Sequence, residues 1–313
     1  MMQSETLDII KRSASIPSIP MVATRCYEMT QNSDCDYNKL VELLGTDPGI
    51  AASILRLANS PLFGVTRQVS SLKHAITLLG VKRIRELVLT RYLVQKTEDI
   101  GCENIDINYY WRLSVATGIL AAKFAESLAP RQRDEAFMGG LLADVGVLVL
   151  ARALPKQYES ISLHYQPHES DDWIQGEYNL MGVTHGEVSA LVLEQWNLPD
   201  ALVEGVRYHH ATPADMPENS PGTMLARMIG GASGIAKVLS QTSNVDSARD
   251  TCRSAMERVN LDISVLVRAL DGIEEEIEKM ADLLQIDVLN SKVFTLICKQ
   301  LVESLEKAES VAG

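Results

Sequence analysis

Patterned stretches of this chain repeat their apolar residues every 3.6 positions, and none alternates at 2 over the length of a strand. That restricts the chain to helices packed on helices. The helix boundaries agree. Asp36 and Asp47 stand as N-caps before apolar-periodic runs, Pro48 occupies a first turn, and Ser71 and Gly80 bracket LKHAITLL. Thr184 with Glu187 makes a capping box at the head of HGEVSALVLEQWNL. Only 5% of the residues are aromatic, so the core must be built from Leu, Ala, Val and Ile, which suits interhelical packing better than a sheet sandwich. The expected class is all-α.

With 313 residues the chain can form a large core or two domains. A short helix near 4–13 fills most of an N-terminal segment, 1–15, and IPSIP (16–20) then forces an extended entry. Helices follow up to the polar stretch KTEDIGCENIDI (96–107). Beyond it, 108–128 and 133–154 each read as one long helix, the second being the most apolar in the chain. Two short helices, the segment 184–198 and PDALVEGVRYHH come next. PADMPENSPG (213–222) is a Pro-rich linker, and helical segments are expected near 222–241, 246–282 and 286–309. In this last region Val265, Leu266, Ala269, Leu270, Ile273, Ile277, Met280 and Leu284 form an apolar stripe, read as covering the core in preference to a partner or dimer surface.

The net charge of −12 opposes direct nucleic-acid binding, which needs clustered Lys and Arg to neutralise phosphates. The one basic cluster, KRIRELVLTR (82–91), alternates its charges with core positions. Cys26, Cys35, Cys102, Cys252 and Cys298 are scattered without a CxxC pair, which predicts reduced thiols in a cytoplasmic protein. The first twenty residues carry charges and no apolar core, so no signal peptide is expected. The longest apolar run is interrupted by Asp144 and ends at Arg152, so no membrane span is expected either.

That interruption is the most informative polar feature, because an ionised carboxylate does not enter a helical core without a partner. Asp144 shares a face with Phe137, Leu141 and Leu148. His185 shares one with Val188, Val192 and Trp196, and His209 with Leu202 and Val206. Three ionisable groups, each on an inward stripe of a different helix, are expected to meet. Either they ligate a metal, or Asp144 accepts hydrogen bonds from the histidines and fixes helix packing; spacing favours the second. His210 is expected to point away and be exposed, and His74, His164 and His168 to be ordinary polar residues. No dinucleotide fingerprint, P-loop or GxSxG elbow is present, and MIGGASG (228–234) reads as close helix packing.

DPGIAASILRLANSPLFG, VSSLKHAITLLGVKRIRELVL, GGLLADVGVLVLA and THGEVSALVLEQWNLPDALVEGVRYHH, in that order, resemble the HDOD domain, an HD-related output domain of bacterial signalling proteins. The resemblance covers about 16–212, divided into an N-terminal helical subdomain (16–100) and an HD-like core (101–212), with 213–313 as a C-terminal helical extension. It implies an N-terminal helical subdomain packed on a core like that of HD-type phosphohydrolases. HD enzymes hold metal with histidines and aspartates from several helices. Aligned with that pattern, Leu113 stands where the first histidine would be, Ala143 replaces the histidine of His-Asp, Val147 replaces a lysine, and Ser233 falls near the final aspartate. Asp144, His185 and His209 remain as vestigial metal candidates. The expected function is therefore a non-catalytic signal-transduction module acting through other signalling proteins, with a second copy of the chain as one candidate partner and no cofactor. The alternatives are a degenerate metal-dependent phosphohydrolase or cyclic-dinucleotide phosphodiesterase, and a nucleotide sensor without turnover.

Overall fold

In a computed structural model, residues 2–12, 20–31, 35–59, 68–98, 105–162, 172–212, 215–216, 220–240 and 245–284 are described, with residues 286 and 303 besides. Every regular element among them is helical. The chain divides into two compact units, one of residues 1–16, 101–281 and 287–313, the other of residues 17–100 and 282–286.

The second unit holds α2 (Met21–Gln31), α3 (Tyr37–Gly45), α4 (Pro48–Ala58), α5 (Leu72–Leu79) and α6 (Val81–Glu98). Its ends follow the local chemistry: Asp36 and Asp47 accept from the first free N–H groups of α3 and α4. Gly80 stops α5 at φ 80°, and α6 resumes at once. The Asp47 carboxylate also accepts a 2.5 Å bond from Tyr92 on α6. His74, expected to be an ordinary polar residue, is exposed.

The first unit begins with α1 (Met2–Arg12) and resumes with α7 (Ile107–Leu128), a mostly buried helix capped by Asp106. After a short turn at Pro130–Gln132 come α8 (Arg133–Leu142) and α9 (Val145–Ala153). The expected single helix over 133–154 is thus two, broken at Ala143 and Asp144. The stretch Pro130–Ala153 does reach the length and hydropathy of a membrane span, contrary to the reading from its charges, but 89% of its most apolar window is buried inside the protein. It serves as a core element against α7. Gly118 and Gly140 make that contact close: a Cβ on Gly140 would lie 2.8 Å from the Gly118 backbone.

α10 (Pro155–Ser162), α11 (Asp172–Met181), α12 (His185–Gln195) and α13 (Asp200–Arg207) complete the core, and α14 (Thr223–Ser240) packs on α7 and α13. The expected helix over 246–282 is three: α15 (Val245–Val259), α16 (Ile263–Leu270) and α17 (Ile273–Leu284). Asn260 at φ 55° and Gly272 at φ 67° make the breaks. Leu266, Ala269, Leu270, Ile273 and Ile277 are buried, so this part of the stripe covers the core. Cys102, His164, His168 and most of the segment expected near 286–309 lie outside the described residues.

Candidate metal centre

Asp144 sits in the break between α8 and α9, at φ −101° and ψ 10°. It occupies the N-cap position of α9 yet makes no capping bond with its side chain. Ser189, reaching across from α12, does the backbone's work instead. Its Oγ accepts from Gly146 N–H at 2.8 Å and donates to the Ala143 carbonyl at 2.6 Å. The Asp144 carboxylate is left to face the histidines. Gly146 permits the approach: a Cβ there would lie 2.1 Å from the His185 carbonyl oxygen.

His185 is the first residue of α12, behind the Thr184–Glu187 capping box anticipated from the sequence. Its backbone N–H and its ring Nδ1 both donate to Glu177 Oε2 on α11, at 2.7 and 2.8 Å. The other Glu177 oxygen accepts from Tyr158 O–H at 3.0 Å. Glu177 is fully buried. His209 lies in the turn after α13, where Nδ1 donates to the Val206 carbonyl at 2.7 Å.

These outer bonds fix both tautomers. A carboxylate and a carbonyl only accept, so Nδ1 carries the hydrogen in each ring. The Nε2 lone pairs of neutral His185 and His209 then point at Asp144 Oδ1, from 3.4 and 3.5 Å. Neither Asp144 Oδ1 nor His209 Nε2 has a hydrogen bond of good geometry, and both are buried. Three acceptors converge, and a cation or a proton between them would relieve their mutual repulsion. A tetrahedral ion with ligands about 2.1 Å away separates them by about 3.4 Å, so the two spacings to Asp144 Oδ1 suit a single small divalent cation. The outer contacts are those that orient metal-bound imidazoles.

His210 joins the cluster, and the expectation that it is exposed fails. Its ring lies 3.9 Å from that of His209 and 4.9 Å from that of His185, centroid to centroid. One ligand atom from each of Asp144, His185, His209 and His210 lies within 4.8 Å of the others. The helical wheel misplaces His210 because α13 stops at Arg207, before either histidine. Glu177 and Ser189 also went unnoticed in the sequence. Glu177 belongs to no apolar stripe shared with the three candidates, and Ser189 acts on backbone rather than on another side chain.

Without a metal the cluster holds a proton. Burial alone would lower the pKa of His185, but the Glu177 and Asp144 carboxylates on its two sides raise it to about 9. Burial pushes the Asp144 pKa up, yet the His185 and His209 contacts hold it well below the usual carboxylate range. Burial, with His185 beside it, lowers that of His209, and burial beside His209 lowers that of His210 further.

Leu113, Ala143 and Val147 are all buried, and none can ligate. Ser233 is buried with a hydroxyl that makes no hydrogen bond. The donors present therefore suit one ion.

Fold and site together define an all-helical protein in which Asp144, His185 and His209 converge in the buried core with the half-buried His210 beside them. The chain belongs to the HDOD domain family, whose profile matches residues 16–212. An uncharacterized protein of Treponema pallidum (strain Nichols) is 23% identical over 222 residues, which is 68% of this chain and 41% of that protein. The chain therefore spans less than half of that relative's length. Among solved structures, an HDOD domain protein of Geobacter sulfurreducens matches with TM-score 0.72 at 22% identity, covering 90% of this chain and 98% of its own. A Shewanella amazonensis SB2B protein that carries a phosphohydrolase name matches at TM-score 0.68 and 22% identity, over 96% and 100%. A Marinobacter aquaeolei VT8 protein that carries a signal-transduction name matches at TM-score 0.60 and 20% identity, over 96% and 65%. At such identities the likeness shows the shared fold.

Proposed function

We propose that the chain is a non-hydrolytic regulatory module of signal transduction that acts through protein contacts, and that its HD-like core keeps one divalent ion as a structural centre. The observation that carries this reading is the buried convergence of Asp144 Oδ1 with His185 Nε2 and His209 Nε2, both rings locked from outside. His185 and His209 are 0% exposed and Asp144 is 5%, which suits a structural ion better than one that must admit a phosphoester and a water. Leu113, Ala143 and Val147 remove the partners that a second ion and a phosphate would need. Asp144, His185, His209 and His210 would hold the ion, and Glu177, the Val206 carbonyl and Ser189 would orient them. When bound, the ion supplies positive charge that offsets the buried carboxylates. The family resemblance and the signal-transduction name of one structural neighbour support the regulatory part.

A second reading, a single-metal phosphohydrolase, is favoured by the same donor set, because an ion there could polarise a water, and by the phosphohydrolase name of another neighbour. Metal content of the purified chain, followed by phosphoester assays with and without manganese, separates the two. We expect about one ion per chain and no turnover. Metal-dependent hydrolysis that disappears in Asp144→Ala would replace the regulatory reading with the enzymatic one. A chain that takes up no ion from zinc or manganese would leave the cluster as a proton-bridged packing device.

A further inference from the structure

Helix α1 lies outside the family-matched residues 16–212, yet it belongs to the unit that carries the centre and packs on α9 and α11. Ile10 is fully buried on its inner face. The Thr6 hydroxyl donates to the Met181 carbonyl at 2.7 Å, in the interior. Met181 ends α11, so its carbonyl has no partner within its own helix and must find one elsewhere. Gln3 Nε2 donates to Glu187 Oε1 at 3.2 Å, while Glu187 Oε2 accepts from the Thr184 N–H that opens α12.

These two contacts bracket the segment on which one side of the centre depends. Glu177 lies four residues before Met181 and His185 four after it. Glu187 closes the cap of the helix that His185 begins. Helix α1 therefore grips the backbone that places both the His185 ligand and its supporting carboxylate, though it contributes no ligand itself.

The grip is also releasable. With 11 residues, α1 is shorter than a helix that persists alone in water, so off the core it becomes coil. Its outer side includes Ile9, 46% exposed, and the Gln3 bond is exposed too. Docked helix and detached coil are two discrete states, as a switch requires.

We propose that α1 is a regulatory strap on the metal centre: docking of α1 and occupancy of the ion stabilise each other, and an input that detaches α1 loosens the ion. The inference rests on the metal reading above. Linkage makes the coupling reciprocal, so it can be measured from either end.

The probe is the zinc ion alone, its dissociation constant measured on the full chain by competition with a chromophoric chelator. Thr6→Val/Ile10→Ala is compared with the unaltered protein, with helix content followed by circular dichroism. We expect about tenfold weaker zinc binding by the variant at unchanged core helicity. In the unaltered chain, zinc should slow amide exchange in α1 by a similar factor, a measurement that holds even where the variant folds poorly. If zinc binds the variant within about twofold of the parent, and α1 exchange ignores zinc, the strap is overturned while the metal reading stands. If the unaltered chain binds no zinc, the metal reading falls and the strap falls with it.

Discussion

Raising the pH on metal-free protein tests the electrostatics of the centre directly. His185 is fully buried between two carboxylates and its pKa rises from an ordinary 6.5 to about 9. The folded chain thus holds this proton more tightly than the unfolded chain does. That stabilisation is fully present below about pH 6.5 and is lost as the pH climbs through about 9. At about 1.4 kcal/mol for each tenfold in proton affinity, the rise corresponds to about 3 kcal/mol, most of it gone by pH 9. His209 and His210 are shifted downward, so their effect falls on the other side: stability is lost as pH drops below 6.5 and they must charge. Cys26, raised by burial from 9.0 to about 12, destabilises only above about pH 9. The window from 6.5 to 9 therefore belongs to His185. The assay is urea unfolding in EDTA at half-unit steps across that window, repeated on His185→Gln and on zinc-loaded parent. The parent should lose about 2–3 kcal/mol, and the variant should be nearly flat. With zinc present the metal replaces the proton, so the parent should no longer weaken in this range. A flat profile for the metal-free parent, or an equal slope in His185→Gln, would refute the bridged imidazolium.

Three further outcomes are expected. Asp144→Ala should cost about 2–4 kcal/mol in chemical denaturation and abolish metal uptake, because it removes the acceptor on which the buried histidine nitrogens converge; wild-type melting would show that no such network exists. Glu177→Gln should lower zinc affinity about 10- to 100-fold while the fold survives, since it weakens the acceptor that sets the His185 ring; isothermal titration decides, and unchanged affinity would remove Glu177 from the centre. Ser189→Ala should destabilise by about 1–3 kcal/mol by stranding Gly146 N–H and the Ala143 carbonyl. It should also weaken zinc binding, because the break that aims Asp144 loses its clamp; intact stability would mean another group serves the break.

The helices were legible because their determinants are local. Caps at Asp36, Asp47, Ser71 and Thr184, and the stop at Gly80, act within three or four residues of themselves. The inward placement of Asp144, His185 and His209 followed from stripes that the structure indeed buries. What the sequence hid depends on contacts far apart in the chain. Nothing in LLADVG says that its helix must break at Ala143 and Asp144, since Ala is the strongest of helix formers. The break is held by a serine 46 residues beyond Ala143 and 43 beyond Gly146, whose single hydroxyl replaces two backbone partners. A periodicity argument assumes an unbroken helix, so it assigns Asp144 to a stripe and misses that its side chain is freed by the interruption of that helix. The same assumption, extended past Arg207, sent His210 outward. Both errors fall where regular structure ends beside the centre. Regular helices satisfy their own backbone and leave side chains fixed by the wheel, whereas a terminus or a break releases them to other geometries. Asp144 at a break, His185 at a first turn, and His209 and His210 beyond a last one therefore share a cause: they converge because each sits where a helix is interrupted or ends.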